Sequence, residues 1–186
     1  MTPEELDAHL DEVLVHGRTP ATPVIVEYDD GRPARFAEHR ARIVAALGGR
    51  ARIVEHIGST SVPGLAAKDV VDVLVGVDDP DDEAAYLPDL IAAGYELRVR
   101  EPGHRALRET GGLRVNLHCY APGDDEVATY RLLRDHLHTH PEARREYEAT
   151  KRALAGREWP DMNHYAEAKG PTIRRLLRSA GWTPRP

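Results

Sequence analysis

Short apolar runs, several of them alternating with polar residues, make up most of the segment from 51 to 120, whereas from Glu126 onward the period stays close to 3.6. Alternation is typical of β-strands, whose side chains point to opposite faces in turn. The pattern predicts strands at 51–57, 69–77, 95–100, 104–110 and 113–120. The run VIVEY, at 24–28, is predicted to be a short strand or an extended segment.

Helical periodicity predicts helices at 34–47, 82–93, 126–139, 142–155 and 162–179. Gly48-Gly49 ends the first of these, and Gly170-Pro171 interrupts the last. A further helix starts in the segment from Thr2 to Glu5. The predicted fold class is α/β (α+β), with a mixed β-sheet, flanking helices and a helical C-terminal tail.

The chain of 186 residues is long enough for one compact domain. The segment RTPATP, at 18–23, has the composition of a linker. The sequence therefore predicts an N-terminal helix and linker at 1–22 and a main domain at 23–182.

Composition and charge narrow the class of protein. The formal charge of −6 argues against a duplex nucleic-acid binder, but a small anionic ligand needs only a few well-placed donors. A single cysteine, Cys119, cannot form an intramolecular disulfide. No apolar run is long enough to span a bilayer, and the start lacks a signal-peptide pattern. We expect a cytoplasmic protein, and the oligomeric state stays open.

Asp72 is the unusual residue of the predicted strand DVVDVLVGV, because its neighbours are Val and Leu. An isolated ionised carboxylate in a central strand is costly, so it should meet a cation, a metal or hydrogen-bond donors. Two interpretations remain: Asp72 faces a ligand, or it lies at the strand's end and caps a loop. The loop before it, with Gly58, Ser59 and Thr60, is by itself typical of a plain turn. Together with Asp72 it suggests a phosphate cradle, because it offers backbone N–H groups and hydroxyls without bulk.

The segments EHIGSTSVPGLAAK, GHR, NLHCY, LLRDHLHTHPEARREYEATKRAL and YAEAKGPTIRRLL resemble the GrpB-like family from about Tyr28 to Trp182. This resemblance implies a nucleotidyltransferase-like fold of the polymerase β type. Members of that superfamily place a Gly-Ser loop before a strand with two acids and add a third acid on a later strand. These acids hold two divalent ions that align a nucleotide triphosphate. Asp72 corresponds to the first metal ligand.

The chain departs from that superfamily pattern at the second and third acids. Leu74 stands at the second position, and Asp69 falls on the opposite face of the strand. On the later strand the third position falls to His118 or Asn116. Asp72 and His118 are the candidate catalytic and metal-binding residues, for a single Zn²⁺ or Mn²⁺ rather than two Mg²⁺ ions.

The resemblance extends to further polar positions. His104 and Arg105 match a His-Arg element, in which Arg105 either clamps phosphate or lies in solvent. Tyr165 and Lys169 share a helix face, so Lys169 either neutralises a triphosphate or is exposed.

Three functions stay open from the sequence. The first is a nucleotidyltransferase-like enzyme acting on a nucleotide or another phosphorylated molecule. The second is a phosphate-binding module without catalysis, and the third is a regulatory, partner-binding domain.

Overall fold

The computed structural model describes residues 2–111 and 114–183, which form a five-stranded mixed sheet with flanking helices. The strands are β1 (Ile53–Ile57), β2 (Val71–Gly76), β3 (Tyr95–Glu101), β4 (His104–Glu109) and β5 (Val115–Tyr120). They lie in the order β1-β2-β5-β4-β3. β2 and β5 run parallel, and the other neighbouring pairs are antiparallel.

Seven α-helices accompany the sheet in the described residues. They are α1 (Pro3–Val13), α2 (Arg32–Leu47), α3 (Leu87–Ala92), α4 (Asp125–Thr139), α5 (Pro141–Leu154), α6 (Met162–Ala168) and α7 (Gly170–Ser179). None of the helices in these ranges is long and apolar enough to cross a membrane. The predicted α+β class, with its mixed sheet and helical C-terminal tail, is confirmed.

The two faces of the sheet are covered by different helices. On one face, Val73 and Leu117 pack with Ile43 of α2 and Leu90 of α3, and all four side chains are fully buried. On the other face, Leu74 packs with residues that include Val127 of α4. Helices α4, α5 and α7 share a further apolar cluster with the loop before β2: Val62, Leu65, Leu137, Ala143, Tyr147 and Leu176. The helical tail therefore packs against the sheet, as predicted.

Several boundaries differ from the sequence prediction. The segment 24–28 is extended and forms one isolated β-bridge, between Val26 and Ala67, whose backbones exchange two hydrogen bonds of 2.9 and 3.0 Å. The predicted helix at 82–93 begins with a 3₁₀ turn and becomes α-helical at Leu87. Of the predicted strand 113–120, the first residue lies outside the described residues. The last helix divides at Lys169, next to the Gly170-Pro171 pair.

Arg32 joins the extended N-terminal segment to the loop before β2. Its side chain is fully buried at the start of α2. It donates hydrogen bonds to the carbonyl oxygens of Leu65, at 3.1 Å, and Glu27, at 3.2 Å. A buried guanidinium that pairs with two carbonyls fixes both segments relative to α2.

Replacing Arg32 with Met should lower the free energy of unfolding by about 1.5–3 kcal/mol, because a charged donor to buried carbonyls is lost. Urea denaturation measures the change. Arg40→Met, at an exposed position of the same helix, is the matched control and should have little effect. Equal stability of the two variants would contradict the anchoring role of Arg32.

Candidate functional site

The turn after β1 begins at Gly58, which has φ +69° and ψ −171°, a conformation that favours glycine. Residues Ser59–Ser61 follow as a single 3₁₀ turn, and the Ser61 hydroxyl donates to the Gly58 carbonyl at 2.7 Å. A Cβ atom on Gly58 would lie 2.7 Å from Oδ2 of Asp72. The carboxylate therefore lies directly against the glycine, and this contact has no room for a side chain.

Asp72 is the second residue of β2 and faces the same side of the sheet as His118 of β5. Oδ1 of Asp72 accepts a hydrogen bond from Nδ2 of Asn116 at 3.0 Å and lies 3.8 Å from Nε2 of His118. Burial raises the pKa of the Asp72 carboxyl, but His118, Lys68 and Asn116 together lower the pKa below its ordinary value. Asp72 and His118, the two candidate metal-binding residues, therefore lie on the same face of the sheet, and Asp72 lies within the strand.

An aromatic stack continues the cluster along β4 and β5. The ring centre of His104 lies 4.4 Å from that of Tyr120 and 5.7 Å from that of His118. Burial, with a smaller contribution from His118, lowers the pKa of His104 to about 4, so its ring is neutral at neutral pH. Nε2 of His104 and Nδ1 of His118 are buried without a hydrogen-bond partner among the described residues.

The whole chain contains three lysines, Lys68, Lys151 and Lys169, and all its other basic side chains besides histidine are arginines. The Nζ atoms of Lys68 and Lys169 lie 5.5 and 4.6 Å from the centre of the Tyr165 ring. Nζ of Lys151 lies 4.8 Å from the centre of the Tyr147 ring. The loop before β2, α5 and the α6–α7 junction thus bring every lysine to one place.

The charges of these lysines have no carboxylate partner at contact distance in the described part of the chain. Burial lowers the pKa of Lys68 to about 8, although the Asp72 carboxylate acts in the opposite direction. Burial and the charge of Lys169 lower the pKa of Lys151 to about 7. Lys151 is 2% exposed and donates a short hydrogen bond to the Ala66 carbonyl. The pKa of Lys169 is also lowered by burial and raised in part by Asp72.

Ser59 connects the turn to the lysine cluster. Burial raises the pKa of Tyr147 to about 12, and the nearby Ser59 side chain acts in the opposite direction. The hydroxyl of Tyr165, whose ring lies next to the ammonium groups of Lys68 and Lys169, is buried without a partner among the described residues. The Gly-Ser turn, Asp72 and the lysines are therefore parts of one polar cluster.

The residues present do not fit a two-Mg²⁺ centre. Leu74 is fully buried in an apolar cluster, and Asp69 pairs with Arg35 at 2.7 Å. Across residues 2–111 and 114–183, no three His, Cys, Asp or Glu side chains are grouped so that they could hold a metal ion. Asp72 and His118 supply two ligands, fewer than the three or four protein ligands of typical zinc sites.

The structure does not bring Arg105 or Thr60 into the cluster. Arg105 pairs in register with Cys119, on the opposite face from Asp72, and contacts Glu83 at 2.5 Å and Asp81 at 2.9 Å. Arg105 therefore forms buried structural ion pairs, so it is neither in solvent nor on the face of Asp72, and neither of the two predicted alternatives is observed. Thr60 is 2% exposed, and its hydroxyl lies 3.1 Å from Nε2 of His56, inside the fold.

A family model described as "GrpB protein" matches residues 22–179. The chain belongs to the GrpB family. A UPF0157 protein of Streptomyces coelicolor is 50% identical over 155 residues, which cover 83% of this chain and 82% of that protein. A UPF0157 protein of Halalkalibacterium halodurans is 40% identical over 182 residues, which cover 95% of this chain and 93% of that protein. GrpB from Enterococcus faecalis, a crystal structure, aligns with a TM-score of 0.73 at 26% identity, covering 84% of this chain and 96% of that one.

Two further matches cover less than half of longer proteins. A dephospho-CoA kinase of Mycolicibacterium paratuberculosis is 30% identical over 195 residues, which cover 86% of this GrpB-family chain and 48% of that protein. The Cid1 poly(U) polymerase aligns at 14% identity with a TM-score of 0.46, over 81% of this chain and 46% of that one, and carries no weight for activity. The mixed α+β fold predicted from the sequence is confirmed, and GrpB from Enterococcus faecalis shares it.

Sequence reasoning missed Lys68, Lys151 and Tyr147 of the GrpB-family cluster. The signal that would have found the lysines is their scarcity, because a chain with 25 Lys and Arg residues uses lysine at three positions only. Lysine and arginine are not interchangeable, and lysine is the one whose pKa shifts readily on burial. Tyr147 carries no such signal, since a tyrosine at helical spacing is ordinarily a core residue.

Replacing Gly58 with Ala should destabilise the GrpB-family chain by about 1–3 kcal/mol through backbone strain and should displace the Asp72 carboxylate as well. Thermal and urea denaturation measure the stability. Gly64 also has a positive φ, +76°, but a Cβ atom there would meet nothing within 4 Å, so Gly64→Ala measures the strain without the contact. Gly49 has neither a positive φ nor a close neighbour, so Gly49→Ala is the second control. An effect of Gly58→Ala no larger than that of Gly64→Ala would contradict the role of the Asp72 contact.

The stability of the chain should fall as the pH falls from 6.5 towards 4. Burial holds the pKa of His104 and that of His56 at about 4, so the unfolded chain takes up protons first and gains stability relative to the folded one. His104→Gln should reduce this pH dependence, measured as the free energy of unfolding at several pH values. His16→Gln, at an exposed position, should keep the wild-type dependence. Identical dependence in all three proteins would contradict a neutral buried His104.

Proposed function

We propose that this GrpB-family chain binds a phosphorylated small molecule, a nucleotide or a related anion, at the cluster formed by the Gly58–Ser59 turn and the lysines. The observation that carries the proposal is the convergence of all three lysines at one place without contacting carboxylates. Unneutralised ammonium groups are costly when half-buried, and an oxyanion relieves that cost.

The three lysines have different roles in this proposal. Lys68 and Lys169 flank the Tyr165 ring and are only partly buried, so they contact the phosphate oxygens. Lys151 is almost fully buried and holds the Ala66 carbonyl, so it positions the loop that carries Lys68 and adds to the positive potential. Backbone N–H groups of the Gly-Ser turn complete the anion cradle.

The side chains around Asp72 support ligand binding without a two-metal nucleotidyl transfer reaction. Asp72 has an amide and an imidazole as neighbours, where the nucleotidyltransferase-like superfamily places further acids. A buried Leu74 leaves no second carboxylate on that face of β2. We therefore assign the lysines to phosphate recognition and assign no chemical step to a metal.

A regulatory module is the second candidate function. The observation that favours it is the relative named dephospho-CoA kinase, in which the matched region is about half of the protein. In such a setting the phosphate cradle would sense a phosphorylated metabolite for a neighbouring enzyme. Both candidates require the same ligand site, and they differ in whether the chain turns its ligand over.

Replacing Lys169 with Ala should weaken the binding of inorganic triphosphate and of ATP by about tenfold or more at low salt. The loss of a charge-assisted hydrogen bond of roughly 1.5–3 kcal/mol accounts for this size. The difference should shrink at high salt, because the interaction is Coulombic and is screened. Isothermal titration calorimetry at two salt concentrations, with and without Mg²⁺, measures the affinities.

Arg145→Ala is the matched control for that experiment. It removes the same charge from an exposed position of α5 and should leave both affinities unchanged. Equal affinity of Lys169→Ala and the wild type at low salt would remove Lys169 from the site. The absence of binding of either anion to the wild type would contradict the proposed function.

A further inference from the structure

We infer that the ligand of this site carries hydroxyl groups in addition to its phosphate, as a sugar phosphate or the ribose phosphate of a nucleotide does, and that Asp72 with Asn116 and His118 binds those hydroxyls. This inference rests on the proposed function, because the lysines hold the phosphate. It gives Asp72 the role of a hydrogen-bond acceptor for substrate.

Unsatisfied polar atoms are concentrated around this cluster. Four buried side-chain nitrogen or oxygen atoms of the described residues lack a hydrogen-bond partner, and three of them belong to His104, His118 and Tyr165. Buried polar groups are ordinarily paired, so each unpaired one calls for a partner from outside the chain. Hydroxyl groups suit imidazoles and a carboxylate equally, because a hydroxyl both donates and accepts.

The charges of the cluster select a neutral donor for Asp72. Lys68 and Lys169 both interact electrostatically with Asp72, so a cationic group of a ligand next to Asp72 would be repelled by two ammonium groups. An anion at the same point would meet the carboxylate itself. The ligand is therefore oriented with its phosphate towards the lysines and its neutral hydroxyl groups towards Asp72.

The Asp72 carboxylate has acceptor capacity left for such a role. Oδ1 already accepts from Asn116 at 3.0 Å, and Oδ2 borders Gly58, which has no side chain to cover it. Among the described residues, Asp72 contacts no Lys or Arg within 4 Å, and its ion-pair partner is His118 at 3.8 Å. A carboxylate held by an amide and approached by a glycine is arranged to accept further hydrogen bonds from a small ligand.

The test compares D-ribose 5-phosphate with n-butyl phosphate, which has the phosphate but no hydroxyl groups, by calorimetry in buffer containing EDTA. The wild type should bind ribose 5-phosphate at least about tenfold more tightly, because a site built for hydroxyls discriminates against an analogue that lacks them. Asp72→Asn should bring the two affinities close together while leaving that for butyl phosphate unchanged or slightly higher. Glu12→Gln removes the same charge from an exposed position of α1 and should keep the wild-type preference.

The outcomes separate this inference from the proposed function. Failure of both phosphates to bind would overturn the proposed function together with the inference. Binding of both with equal affinity to the wild type would overturn the inference and leave phosphate binding intact, and this comparison needs no variant to fold. A preference that appears only with added Mg²⁺, Mn²⁺ or Zn²⁺ would make Asp72 a metal ligand and overturn its role as acceptor. If Asp72→Asn melts early, His118→Gln tests the same preference.

Discussion

The parallel pairing of β2 with β5 is the constraint on which the rest of the site depends. It places Asp72 opposite Asn116 and Leu74 opposite His118, so the alternation of both strands puts their polar residues on one face. The same register puts the valines and Leu117 on the other face, where they bury against α2 and α3. The apolar core and the polar cluster are two sides of one hydrogen-bonded pair of strands.

Burial of the polar face follows from the helices that cover it. Helix α5 contributes Tyr147 and Lys151, and the break between α6 and α7 contributes Lys169. The break is possible because Gly170-Pro171 cannot continue α6 without interruption, and Lys169 is the residue at the junction. Water is thereby partly excluded from three ammonium groups and a carboxylate, which strengthens every electrostatic interaction that these groups make.

The sequence was sufficient for the strands and the helical tail, because alternation and periodicity are local properties. That Asp72 and His118 share one face follows from the pairing of β2 with β5. The sequence was not sufficient to predict which of His104 and Arg105 faces Asp72, and both were assigned to the site. Neighbours on one strand face opposite sides, and only the pairing of Arg105 with Cys119 decides which of them faces Asp72. The convergence of Lys68 with Lys151 and Lys169 depends on contacts between residues far apart in sequence, which no local pattern contains.

The confinement of lysine to one cluster has a consequence for covalent modification. Apart from the amino terminus, an acylating enzyme or reagent meets amines only at this site, and Lys68 and Lys169 are the accessible ones. A lowered pKa leaves more of Lys68 as free amine, the nucleophilic form, at neutral pH. Acetylation removes the ammonium charge and its donors. The acylation state of the lysines in this chain is therefore also the charge state of a single side-chain cluster.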